Sequence, residues 1–175
     1  MQKVIQQYLN SYKSICPQLI ESELSLIGKN VLVYTMNRKA CYLEEGKVQR
    51  AMGFVHQGLL RSYYIDKSGT EVTIGFISEN KYASDYPAFI SQQPSNYYIQ
   101  CLEPTIMVDL PYSMIQEAYA QFKNFEQYGR LIAETILVEK ESRIQSFLFE
   151  SAEERYLNFL QQNTHLINRV SLTHL

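Results

Sequence analysis

The chain has 175 residues, 46% hydrophobic and 19% charged, enough for one sizeable core with a small appendage, and its net charge of -2 leaves any nucleic-acid or anionic-membrane surface to be local. No run approaches the roughly 20 apolar residues that span a bilayer, and the polar start MQKVIQQYLNSYKSI is unlike a signal peptide, so a soluble, cytoplasmic protein with no membrane partner is expected. Cys16, Cys41 and Cys101 are odd in number and scattered, which argues against a disulfide framework or a Cys-x-x-Cys metal site.

Val4, Ile5, Tyr8, Leu9, Tyr12 and Ile15 recur at helical spacing, and Pro17 ends that first helix. A short second helix follows, with Ser22 as N-cap, Leu24, Leu26 and Ile27 on its apolar side and Gly28 near its end. From Asn30 the period changes. VLVYTM, ACYLEEG, AMGFVHQG, LLRSYYID, TEVTIGFI, SNYYIQCLE and TIMVDLP are short β-rich runs parted by Gly, Asn, Asp or Pro, the pattern of a sandwich or jelly roll rather than a parallel α/β sheet. Between Gly58 and Tyr98, two runs join through Lys67, Ser68 and Gly69, and a polar segment then returns into a third run. A sheet holds a small-molecule cradle in this way.

After Pro111 the period is helical again. Tyr112, Ile115, Tyr119 and Phe122 predict a short helix with Pro111 in its first turn, and residues 124–149 predict a long one. In the long helix Tyr128, Leu131, Thr135, Val138 and Ser142 form one seam, while Phe125, Ile132, Ile136 and Phe147 widen the apolar face. A sheet covers only one face, so a helix from a second copy is the natural occupant of the other; the plainer alternative is a helix lying flat on its own sheet. Ser151-Ala-Glu-Glu154 is a capping box that opens a new helix through Arg155, Tyr156, Leu157, Phe159 and Leu160. The organisation expected is α+β: N-terminal helices and an antiparallel β-roll over 1–123, a dimerisation helix over 124–150, and the start of a third module over 151–175.

This order, with YLEEGKVQRAMGFVHQGLLRSYYIDKSGTEVTIGF, Gly58-Leu59-Leu60-Arg61, QQPSNYYIQCLE and SAEERY as its most specific pieces, resembles the Crp/Fnr regulators, in particular the branch common in Bacteroidetes. The resemblance covers essentially the whole chain. It implies a cyclic-nucleotide-binding-type β-roll, a homodimer along the long helix with Tyr128, Leu131, Thr135 and Val138 in the interface, and a C-terminal winged helix-turn-helix that binds promoter DNA. In that family a short helix aims N–H groups at a cyclic phosphate, an Arg neutralises it, and an acid accepts from the ribose. Carried over, the cradle holds Ser84, Asp85, Tyr86, Ser95 and Asn96. Asp85 stands for the ribose-binding acid, Ser95 for the phosphate-binding Arg, and Asn96 for its neighbour. Losing the Arg removes a contact typical of ~1.5–3 kcal/mol, so the site is expected to be non-canonical for cyclic AMP. Lys140, where the long helix meets the ligand in the family, is a substitute cation or a solvated helix lysine. Asp85 likewise reads as ligand contact or helix N-cap, and Ser95 and Asn96 as contacts or strand-end caps. Arg61 reads as entering the roll interior or, the preferred reading, as sitting on a strand's wet face; Tyr82, Tyr86, Tyr97 and Tyr98 read as stacking on a planar ligand or, the preferred reading, as core and rim.

Residues 168–175 read as the strand-like lead into a helix-turn-helix whose turn and second helix do not follow, so DNA is a partner only if a longer product supplies them. The effector is then nucleotide-like or another small molecule, and no cofactor is certain. A stand-alone dimeric interaction module without ligand is the alternative. A cupin-type metalloenzyme would need several His in the roll, and only His56 lies there, with His165 and His174 outside, so no enzyme is expected.

Overall fold

The computed structural model describes residues 1–171. Two helices, α1 (Gln2–Ile15) and α2 (Glu21–Asn30), precede eight strands: β1 (Leu32–Met36), β2 (Cys41–Leu43), β3 (Ala51–Gln57), β4 (Leu60–Ile65), β5 (Glu71–Ile77), β6 (Tyr82–Ala83), β7 (Tyr98–Cys101) and β8 (Thr105–Pro111). A short helix α3 (Tyr86–Ser91) sits between β6 and β7. After β8 come α4 (Tyr112–Gln121), α5 (Lys123–Phe149), α6 (Ala152–Gln162) and a 3₁₀ turn at Thr164–Leu166. The helix after Pro17 starts differently from expectation. Ser22 is not its N-cap; Ile20 takes that place and donates its N–H to the Glu23 carboxylate at 2.8 Å, because a Glu three residues along reaches back where Ser22 cannot.

The strands pair antiparallel in two four-stranded sheets, ordered β1-β8-β3-β6 and β2-β7-β4-β5. Strand alternation splits the core in two. Met52, Phe54, Val108 and Leu110 face outward from the first sheet onto Tyr8, Tyr12, Ile27, Ile115, Phe125 and Tyr128 of the helices. Val55 and Met107 face inward and meet Leu43, Leu60, Ile99 and Cys101 inside the roll. Each large side chain buried this fully contributes about 1.5–3 kcal/mol relative to exposure. The hairpin expected at Lys67–Gly69 is closed by Asp66, whose Oδ1 accepts from the N–H groups of Ser68 (2.8 Å) and Thr70 (2.9 Å).

Helix α5 runs for 27 residues and divides its length between two surroundings. Phe125 and Tyr128 are buried against the roll, whereas Leu137, Val138, Ile144, Phe147 and Leu148 are each more than half exposed. The capping box expected at Ser151 forms, with Ser151 Oγ accepting from Glu154 N–H and Glu154 Oε2 from Ser151 N–H. Residues 168–170 form a turn rather than the extended lead-in expected, and residues 172–175, the rest of that lead-in, lie outside the described residues. The turn is fixed from below: Leu166 and Val170 are buried against Leu59, and the Phe159 ring lies 5.6 Å from that of Phe76. Among the described residues no helix is long and apolar enough to cross a membrane.

Candidate effector site

The cradle is the connection from β6 through α3 to β7. Its backbone is tied to the turn after β2, where Gly46 N–H donates to the Ser95 carbonyl (2.8 Å) and Ser95 N–H to the Lys47 carbonyl (2.9 Å). Asp85, Ser95 and Asn96 come together there as the resemblance implies. They are turned toward one another: Ser95 Oγ lies 2.9 Å from Asp85 Oδ2, Asn96 N–H donates to the same oxygen at 3.3 Å, and Tyr97 N–H donates to Ser95 Oγ at 3.0 Å. Asp85 and Ser95 are both buried, and Asp85 occupies the N-cap position of α3 without a side-chain cap bond. Ser84 joins a second closed set, donating to Gln49 Oε1 (3.0 Å) while Gln49 Nε2 donates to the carbonyls of Ala51 (2.8 Å) and Ala83 (3.0 Å). Gln49 is buried and holds the mouth of the roll, a role nothing in its local pattern announces.

Behind the cradle the roll is occupied by its own side chains. Asp109 accepts from Tyr34 Oη at 3.0 Å and from Tyr42 Oη at 3.2 Å, and burial raises its pKa against the lowering effect of those two bonds. Tyr42 crosses the interior so closely that a Cβ on Gly53 would stand 2.5 Å from its hydroxyl. The space between the sheets at this level is therefore filled by a Tyr–Asp–Tyr network.

The remaining predicted residues are spread over other surfaces. Tyr86 lies on the helix side of α3, among residues of α4 and α5. Lys140 is exposed and makes no hydrogen bond or ion pair among the described residues; at this level α5 meets the roll through Glu139, which pairs with Lys81 at 2.9 Å. Arg61 is not on a wet face. It is buried, with Nη2 donating to Glu71 and, at 3.0 Å, to Gln100 Oε1, and its guanidinium lies 4.1 Å from the Tyr63 ring centre. In the long-helix seam, Leu131, Thr135 and Val138 line an open groove with Ile15, while Tyr128 is spent within its own subunit, stacked on Tyr12 at 4.2 Å. His56 sits at the β3 irregularity, and among the described residues no three His, Cys, Asp or Glu side chains are grouped as metal ligands are.

Helices ahead of an eight-stranded roll, a short helix between its sixth and seventh strands and a long helix behind it define a jelly roll of the cyclic-nucleotide-binding type. Residues 35–122, half of the chain, match the model of the cyclic nucleotide-binding domain, and the chain belongs to that family. No curated protein matches it in sequence. Among solved structures, a protein from Eubacterium rectale described as a Crp/Fnr-family transcriptional regulator aligns with a TM-score of 0.71 at 17% identity, over 90% of this chain and 73% of that one. A cyclic nucleotide-binding domain from Methylobacillus flagellatus gives 0.70 at 12% identity, over 83% and 85%. The catabolite activator protein of Thermus thermophilus gives 0.64 at 15%, over 85% and 71%. At such identities the likeness is one of fold.

Proposed function

We propose that the chain is the sensory and dimerisation part of a Crp/Fnr-type transcriptional regulator of the Bacteroidetes branch, acting in the cytoplasm and without enzymatic chemistry. Residues 1–123 are the sensor, 124–150 the dimer helix and 151–175 the start of a third module, with DNA a partner only if a longer product supplies a helix-turn-helix. The observation that carries this reading is α5. Its second half leaves Leu137, Val138 and Ile144 more than half exposed, beside a groove lined by Ile15, Leu131 and Thr135. A matching helix from a second copy fits that face, with Thr135 and Val138 central. Val138 is 64% exposed, so Val138→Glu costs the subunit's own core nothing. Sedimentation should show dimers for the parent chain and monomers for the variant; dimers from both would count against the interface.

Within this reading Ser84, Asp85, Ser95 and Asn96 contact an effector only by exchanging the bonds they make to one another and to Gln49, and Lys140 only by turning toward the roll. A specific observation favours the second reading, a dimeric module that binds no nucleotide: Asp85, Ser95 and Asn96 are bonded to one another, and the Tyr34–Asp109–Tyr42 network occupies the roll interior. A ligand at ~100 times its dissociation constant adds ~2.7 kcal/mol, which for a chain this size raises Tm by roughly 5–10 °C. Millimolar cyclic AMP should leave Tm unchanged. A saturable rise would sink the closed-cradle reading.

A further inference from the structure

Six tyrosines, Tyr12, Tyr82, Tyr86, Tyr112, Tyr119 and Tyr128, line one cavity of about 330 Å³ on the helix side of α3, outside the roll. Three of them satisfy their hydroxyls internally: Tyr12 bonds Tyr8 at 2.6 Å, and Tyr82 and Tyr128 bond each other. The other three do not. Among the described residues no hydrogen bond reaches the hydroxyl of Tyr86, Tyr112 or Tyr119, although all three lie close together around Tyr119. Desolvation, with Tyr86 and Tyr112 nearby, pushes the Tyr119 pKa up to about 12, so it stays a neutral donor. The walls around these hydroxyls are mainly apolar, from Met52, Phe89, Ile115, Phe125 and Ile132, while the exposed Gln116, Glu126 and Arg130 also border the cavity. Gly129 of α5 lets the Tyr119 ring pack against the helix, since a Cβ there would stand 2.2 Å from Tyr119 Oη, and the small Ala133 borders the cavity on the same helix.

None of the three hydroxyls is a buried atom without a partner, so each reaches solvent, and the cavity is an aromatic pocket whose phenol groups are met by water alone. Its volume lies at the low end of the roughly 300–1,000 Å³ of small-molecule sites. An apolar occupant would suit the rings but displace the water that meets three hydroxyls, whereas a charged group would be desolvated against the aromatic walls. From this geometry we infer that the cavity binds a neutral, planar aromatic compound carrying a carbonyl-type acceptor at one edge, with Tyr86, Tyr112 and Tyr119 as the donor set and the Gly129–Ala133 stretch of α5 as one wall. This site shares α3 with the cradle but is lined by none of Ser84, Asp85, Ser95 and Asn96. Because α3, α4 and α5 all border it, an occupant there touches the long helix directly.

9-Fluorenone and fluorene share one planar ring system and differ by the ketone, so they are the probes. Saturation-transfer NMR with the full chain should show saturable binding of fluorenone, with fluorene roughly five- to tenfold weaker, the size of one or two net hydrogen bonds. Tyr119→Phe, which keeps the ring, should narrow that gap at unchanged melting temperature, and Ala133→Phe should abolish binding of both by filling the space. No saturable binding of fluorenone, equal binding of the two probes, or full binding retained by Ala133→Phe would overturn the assignment. So would binding seen only with monomeric Val138→Glu, because a second copy would then fill the cavity.

Discussion

Glu79 is where two distant parts of the chain meet on one carboxylate. Arg169 donates to it twice, at 2.8 and 3.1 Å, and Gly58 N–H donates at 2.9 Å. Gly58 has φ +116, and a Cβ there would stand 2.5 Å from Thr105 Oγ1, so only glycine presents that N–H without strain. Partial burial alone would raise the Glu79 pKa; the Arg169 and Gly58 bonds outweigh it and bring the value down from 4.5 to about 2. A folded value below the unfolded one means stability that is fully present above about pH 4.5 and lost as pH falls toward about 2. Urea midpoints should therefore show the parent chain ahead of Glu79→Gln at neutral pH, with the gap closing below about pH 3. A gap independent of pH would show that the carboxylate's charge is not what stabilises the contact. Single residues were only half legible beforehand. Asp85, Ser95 and Asn96 converge as the family pattern implies, but their mutual bonds depend on the Lys47 turn, which is remote in sequence. Arg61 was expected on a wet face, and its burial was not legible because its cover comes from Tyr63 and from Glu71 on the neighbouring strand.

Elements were more legible than residues because their signals are local. The seven β-rich runs each contain a strand, and α1, α4, α5 and α6 fall where the helical spacing puts them, since periodicity is a property of neighbouring residues. β6 escaped notice: Tyr82–Ala83 is two residues long, too short for alternation, and exists because Gly53 and Phe54 offer it an edge. The Ser151 cap was readable because both partners of the box lie within four residues. The Ile20 start was not, since Ser22 is the residue whose type suits an N-cap, Ile20 has no side-chain acceptor, and the chain uses only the Glu23 half of a capping box. The turn at 168–170 shows the same limit from the other side. Its sequence is compatible with extended chain, and a long-range contact to Leu59 decides otherwise.

At the scale of the molecule, the consequence of that contact is that the chain beyond α5 returns to the roll. Leu166 and Val170 bury onto Leu59, Phe159 meets Phe76, and Arg169 bridges Glu79 at the end of the β5–β6 connection and Glu103 in the β7–β8 turn, the latter at 2.6 Å. Arg169 is thus the cation between two carboxylates, and their hydrogen bonds hold it charged well above its usual value. Removing it leaves Glu79 and Glu103 as like charges with no counter-ion, while the apolar contacts of Leu166 and Val170 remain. Charge-assisted bonds contribute ~1.5–3 kcal/mol, and solvent at these partly exposed groups reduces that, so Arg169→Ala should loosen the segment by about 1–2 kcal/mol. Each 1.4 kcal/mol of local opening is tenfold in exchange rate, so amide hydrogen exchange should quicken roughly five- to thirtyfold across residues 159–170. The strands β3 and β8, paired along their length in the first sheet, should exchange as before. Quickening spread evenly over the roll would mean that segment and roll open as one unit, and no quickening at all would mean that Leu166 and Val170 hold the segment without the bridge.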